Sequence, residues 1–168
     1  MCTVSWLHDQ DSYRLFSNRD ERHSRQPALK PSIHEQRGVR FIAPIDGDHG
    51  GSWIGVNQFG ISLCLLNRYH DADGNSPLSD ISRGLLLIEL IDCRSRSEAP
   101  DRIRPMNLNR FKPFTLLVLE PEQPSLLIHW NGRESTIDGG GEDSMPLISS
   151  SHDLPGVVSA RRQHFKNL

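Results

Sequence analysis

Short apolar alternations dominate the first part of the chain. Residues 3–7 and 12–17 are rich in aromatic and β-branched side chains and are joined by the polar stretch His8-Asp9-Gln10-Asp11, which predicts an opening β-hairpin. Residues 22–37 hold Pro27, Pro31, several charges and no clean period, so they read as a surface loop suited to substrate specificity. An apolar strand pattern resumes over 39–45. Beyond Asp46-Gly47-Asp48-His49-Gly50-Gly51, two further strands are predicted at 53–56 and 61–66, turned by Asn57-Gln58-Phe59-Gly60.

The period then changes. Over 79–93, Ser79 is a candidate N-cap, Asp80 falls in the first turn, and apolar residues at 81, 85 and 88 predict a largely buried helix. Residues 95–112 carry a weaker pattern. Residues 114–119 and 126–130 read as a second strand pair turned by Glu120-Pro121-Glu122-Gln123-Pro124. A loop at Gly139-Gly140-Gly141, a strand near Leu147-Ile148 and a basic helix from about Gly156 complete the chain. With no internal repeat, this order predicts one domain over residues 1–168 of the α+β class, mainly antiparallel, with helices covering the sheet faces.

Composition narrows the function classes. Hydrophobic residues make up 36% and charged residues 24% of the 168, a balance that folds. The formal charge of -2 supplies no basic field for nucleic acid or anionic membrane. The longest apolar run, Gly84-Leu85-Leu86-Leu87-Ile88, meets Glu89 long before the roughly 20 residues of a membrane span. The first residues carry neither a basic leader nor a long apolar segment, so a cytoplasmic location is expected. Cys2, Cys64 and Cys93 are odd in number and widely spaced, which predicts reduced thiols. The histidines show no metal spacing, and a calcium loop starting at Asp71 has Ser76 and Ser82 where glycine and glutamate are needed. No metal or organic cofactor is expected.

Cys2 is the first candidate for chemistry. Removal of Met1 leaves a thiol and a free α-amine on one residue, and an α-amine titrating near about 7.7–8.0 is able to take the thiol's proton. Equally, Cys2 is a small apolar residue fit for a strand. Ser17-Asn18-Arg19-Asp20-Glu21-Arg22 lies where the hairpin's second strand returns beside the chain start. An acid there can hold the ammonium form of the amine, and Arg19 can stabilise a thiolate or an anionic group. Asn67 ends the apolar strand after Cys64, at the position of an oxyanion donor; Asn57 and Asn67 also suit turns.

Taken together and in order, Met1-Cys2-Thr3, Leu15-Phe16-Ser17-Asn18-Arg19-Asp20-Glu21, and Gly51-Ser52-Trp53-Ile54-Gly55-Val56-Asn57 with Gly60 resemble the NRDE family, which includes the transport and Golgi organisation proteins. More distantly the order is similar to choloylglycine hydrolases and penicillin V acylases, whose Asn-x-x-Gly…Leu-Asn segment is matched by Asn57, Gly60, Leu66 and Asn67. The resemblance implies a four-layer αββα sandwich of N-terminal-nucleophile hydrolase type with processed Cys2 on a central strand. It implies a cysteine amidohydrolase acting on a small non-peptide amide through a Cys2 thioester. Arg19 assists the nucleophile, Asp20 orients the amine and Asn67 serves the oxyanion hole, while Asn18, Trp53 and Asn57 contact substrate. Arginine and asparagine stand in reversed order in Asn18-Arg19-Asp20, which leaves Asp20 and Glu21 both open as the group facing the amine. Serines occupy 149–151, where those hydrolases carry an asparagine. The alternative implied by the family is a non-catalytic heme or lipid carrier on the same fold; oligomerisation stays open.

Overall fold

The computed structural model describes residues 1–69 and 81–166. The predicted hairpin forms from β1 (Cys2–His8) and β2 (Tyr13–Arg19), in register from Cys2 opposite Arg19 to His8 opposite Tyr13. On the other edge of β1, β10 (Leu147–Ser149) pairs antiparallel and sets Ser149 opposite Cys2, giving a three-stranded sheet in the order β10-β1-β2. The remaining strands are β3 (Leu29–Gln36), β4 (Val39–Ile45), β5 (Ile54–Asn57), β6 (Ser62–Asn67), β7 (Phe114–Leu119), β8 (Ser125–Trp130) and β9 (Ser135–Gly140). They make a seven-stranded antiparallel sheet in chain order.

Central strands β6 and β7 read as continuous apolar runs because both their faces are covered. On one face Leu63, Leu65, Leu116 and Val118 pack against α1 (Arg83–Leu90) and α2 (Glu98–Ile103) through Leu86, Leu87, Leu90 and Ile103. On the other face Cys64, Leu66, Leu117 and Leu119 meet Val4 and Trp6 of β1, whose alternate residues point inward. Helix α3 (Leu154–Lys166) fastens to the far side of the small sheet, where Arg161 donates to Thr3 Oγ1 and pairs with Asp20. The layers therefore run helices, large sheet, small sheet, helix.

The edges depart from the sequence reading. Residues 22–37, expected to be irregular, contain β3, and the expected glycine loop contributes Gly139 and Gly140 to β9. These two strands are the outer edges of the large sheet and are mostly exposed on both faces, so neither needs an alternating apolar pattern. Pro31 falls where the β3–β4 register shifts, on an edge that tolerates a missing N–H. The helix expected over 79–93 runs from Arg83 to Leu90, capped by Ser82 Oγ, which accepts from Gly84 N at 3.3 Å. The expected cap at Ser79 lies outside the described residues.

One close approach positions the site. Ser52 N donates to Gly84 O at 3.1 Å, so the strand leading to Trp53 lies directly on the first turn of α1. A Cβ on Gly51 would fall 2.5 Å from the Gly84 carbonyl carbon, and one on Gly84 would fall 2.9 Å from Ser52 N. Glycine at both positions is a steric requirement.

Candidate functional site

The start of β1, the ends of β2 and β6, and the first turn of α1 surround a cleft of about 740 Å³. Cys2 lines it, flanked across the sheet by Arg19 and Ser149. Burial pushes the Cys2 thiol pKa up; the chain-terminal ammonium and Arg19 pull it back down, and Asp20 and Glu21 raise it further. The balance keeps the thiol protonated near neutrality, so nucleophilic use of Cys2 requires a base. Met1 covers this end of the cleft: its ammonium donates to Asp20 O at 2.9 Å and its carbonyl accepts from Asp20 N at 2.7 Å.

Arg19 is held from three sides. Its Nη2 donates to Glu21 Oε2 at 2.6 Å and to Asp46 Oδ2 at 2.9 Å, while its guanidinium carbon stacks 4.1 Å from the Trp53 ring centroid. Asp46 is braced by Arg25, whose Nη2 reaches both carboxylate oxygens at 2.6 and 2.7 Å, and by the N–H groups of Asp48 and His49. Burial opposes ionisation of Asp46, but these donors and charges together hold its carboxyl below the ordinary value. A cation fixed this way presents a stationary positive potential beside the thiol.

On the other side of Cys2, Asn67 Nδ2 donates to Tyr69 Oη at 2.8 Å, and Asn67 O accepts from Ser149 Oγ, linking the two sheets at the cleft. Ser151 also lines the cleft. The Asp20 carboxylate is directed to Arg161 at 2.9 Å, and its main chain, not its side chain, meets the terminal amine.

Of the residues singled out from sequence, the fold gathers Cys2, Arg19, Asp20, Trp53 and Asn67 around one cleft. Asn18 faces outward from β2 and is exposed. Asn57 is only 5% exposed and lies outside the cleft. Its Nδ2 donates to Ile91 O at 2.8 Å and Cys93 O at 2.6 Å, and its Oδ1 accepts from Phe59 N and Ile61 N. Arg25, Asp46, Arg83 and Arg161 carry no mark in the sequence. Asp46 in an Asp-Gly-Asp turn looks like turn chemistry, and the three arginines sit in segments whose periodicity marks no site. Among the described residues, no group of three or more His, Cys, Asp or Glu side chains is placed to hold a metal. No described helix is long and apolar enough to cross a membrane.

Solved structures with this architecture include penicillin V acylase from Agrobacterium tumefaciens, at 14% identity and a TM-score of 0.53. Another is the mutant C2A conjugated bile acid hydrolase from Clostridium perfringens, at 13% identity and a TM-score of 0.58. Each match covers 98% of this chain and 57% of the other, so the chain spans little more than half the length of these neighbours. The fold is of the N-terminal-nucleophile hydrolase type. No curated protein sequence matches the chain at a significant level. The profile of the family described as Transport and Golgi organisation 2 matches residues 1–158, and the chain belongs to that family.

Proposed function

We propose that the protein is a cysteine amidohydrolase that becomes active when Met1 is removed. The observation that carries this reading is the position of Cys2: it lines a cleft that Asn67 also lines, opposite an arginine held by Asp46. Loss of Met1 places a new α-amine on Cys2 and opens the space that Met1 fills. The neutral amine takes the thiol proton, and sulfur adds to the substrate carbonyl while Arg19 favours the thiolate. The oxyanion accepts a hydrogen bond from Asn67 Nδ2, whose second hydrogen has no partner among the described residues. The C–N bond breaks as the ammonium returns its proton to the departing amine. Water then adds to the thioester with the α-amine as base, releasing the acid and restoring the thiol.

A small polar amide suits the charged, hydrogen-bonding walls of the cleft better than an acyl chain or a porphyrin does. The test is intact mass of the purified protein followed by limiting alkylation with iodoacetamide and peptide mapping. Hydrolysis requires absence of Met1 and labelling of Cys2 well ahead of Cys64 and Cys93. Retention of Met1, or a Cys2 no faster than the two buried thiols, removes the basis for catalysis and leaves ligand carriage as the use of the cleft.

A further inference from the structure

The charged groups that line the cleft differ in how far they are paired. Every lining carboxylate is committed: Glu21 and Asp46 to Arg19 and Arg25, Asp20 to Arg161. The cleft is also lined by Arg83, the first residue of α1, and Lys112, which precedes β7. Arg83 is partly buried and its Nη1 donates to Pro113 O at 2.9 Å, a contact that holds the guanidinium beside the backbone next to Lys112. Its guanidinium carbon lies 5.8 Å from the Tyr69 ring centroid. Among the described residues neither Arg83 nor Lys112 has a carboxylate partner. Burial lowers the pKa of Arg83, and Tyr69 and the Cys2 thiol offset this in part.

A partly dehydrated guanidinium fixed by one hydrogen bond retains donors on its remaining nitrogens, and arginine's planar fork matches a carboxylate. Desolvation without an ionic partner is a cost that a bound anion recovers. We infer that Arg83 and Lys112 form a carboxylate-binding subsite, and that the substrate is an amide carrying a carboxylate held there while its carbonyl meets Cys2. This specificity rests on the reading of Cys2 as nucleophile; the anion subsite itself stands on the arginine–lysine pair.

The test compares two thiol reagents of nearly equal size, bromoacetate and bromoacetamide, at Cys2 of the native protein, with glutathione as the reference thiol. The expected result is a preference for bromoacetate at Cys2 about tenfold above that of glutathione, the size of one charge-assisted contact. Arg83→Gln should return the ratio to that of glutathione. Lys112→Gln, which disturbs no hydrogen bond among the described residues, should reduce it severalfold without affecting folding. A native Cys2 that is alkylated by both reagents in the glutathione ratio overturns the subsite while leaving the nucleophile intact. If Cys2 resists both reagents, the catalytic reading falls, and calorimetric titration with glutarate decides the subsite. Saturable binding that Lys112→Gln weakens supports it, and absence of binding overturns it.

Discussion

Replacing Asn57 by alanine tests how the fold holds the site together. The side chain spans the turn between β5 and β6 and the end of α1: it donates to Ile91 O and Cys93 O and accepts from Phe59 N and Ile61 N, all in a position 5% exposed. Alanine removes four hydrogen bonds and strands two carbonyls and two N–H groups where water has little access. At roughly 1 kcal/mol for each bond, moderated by partial relaxation, the expected loss is about 3–5 kcal/mol. For a chain of this length that corresponds to a fall in melting temperature of roughly 8–15 °C. Asn57→Asp should do no better, because it keeps the acceptor but sets a carboxylate against two carbonyl oxygens. Urea unfolding followed by tryptophan fluorescence gives the stability, and alkylation of Cys2 under native conditions gives the state of the cleft. The expected pattern is a large stability loss with unchanged Cys2 reactivity. A loss below about 1 kcal/mol combined with collapse of Cys2 reactivity would refute the structural role and place Asn57 in substrate handling.

Gly84→Ala should destabilise by about 1–3 kcal/mol despite alanine's higher helix propensity, since its Cβ meets Ser52 N and O at 2.9 Å; thermal melts check this, and an increase in stability contradicts it. Burial raises Cys64 to about 12 and Cys93 to about 11, against an ordinary thiol value of 9.0. Their contribution to stability is therefore complete below pH 9 and is lost as pH rises through the folded-state values, by up to about 1.4 kcal/mol per pH unit per thiol. Urea melts at pH 8 and pH 10 should show that decline, and Cys64→Ala should show less of it. Asp46 behaves in the opposite sense: its depressed pKa contributes stability above the ordinary carboxyl value that is lost on acidification. Asp46→Asn should cost about 2 kcal/mol at pH 7, flatten the acid limb of the stability profile and free Arg19 from Trp53, visible as a change in tryptophan emission.

Much of the frame was legible because burial and pattern coincide. The opening hairpin, β5, β6, β7, β8 and the heart of α1 all bury a face, so their apolar spacing carries the signal. The two edge strands β3 and β9 were invisible for the same reason: LKPSIHEQ and STIDGG are held by backbone pairing at the sheet margins and bury almost nothing. The site follows a similar division. Motif order places Cys2, Arg19 and Asn67 at strand ends, and cross-strand register brings Cys2 opposite Arg19. Arg25, Asp46, Arg83 and Arg161 reach the cleft or its supports only through tertiary packing. Asn57, singled out by the same motif as Asn67, shows the limit of motif order, because the turn it occupies directs its amide toward the end of α1.

Acyl-enzyme trapping tests covalent chemistry at Cys2 directly. The protein lacking Met1 is mixed with p-nitrophenyl acetate, quenched in acid and analysed by intact mass and peptide mapping. One acetyl group is expected on Cys2, released by hydroxylamine, absent in Cys2→Ala and absent when extra residues precede Met1 and no free Cys2 amine exists. Acetylation that ignores the state of the amine, or that falls on Cys64, Cys93 or a lysine while Cys2 stays unmodified, would contradict it.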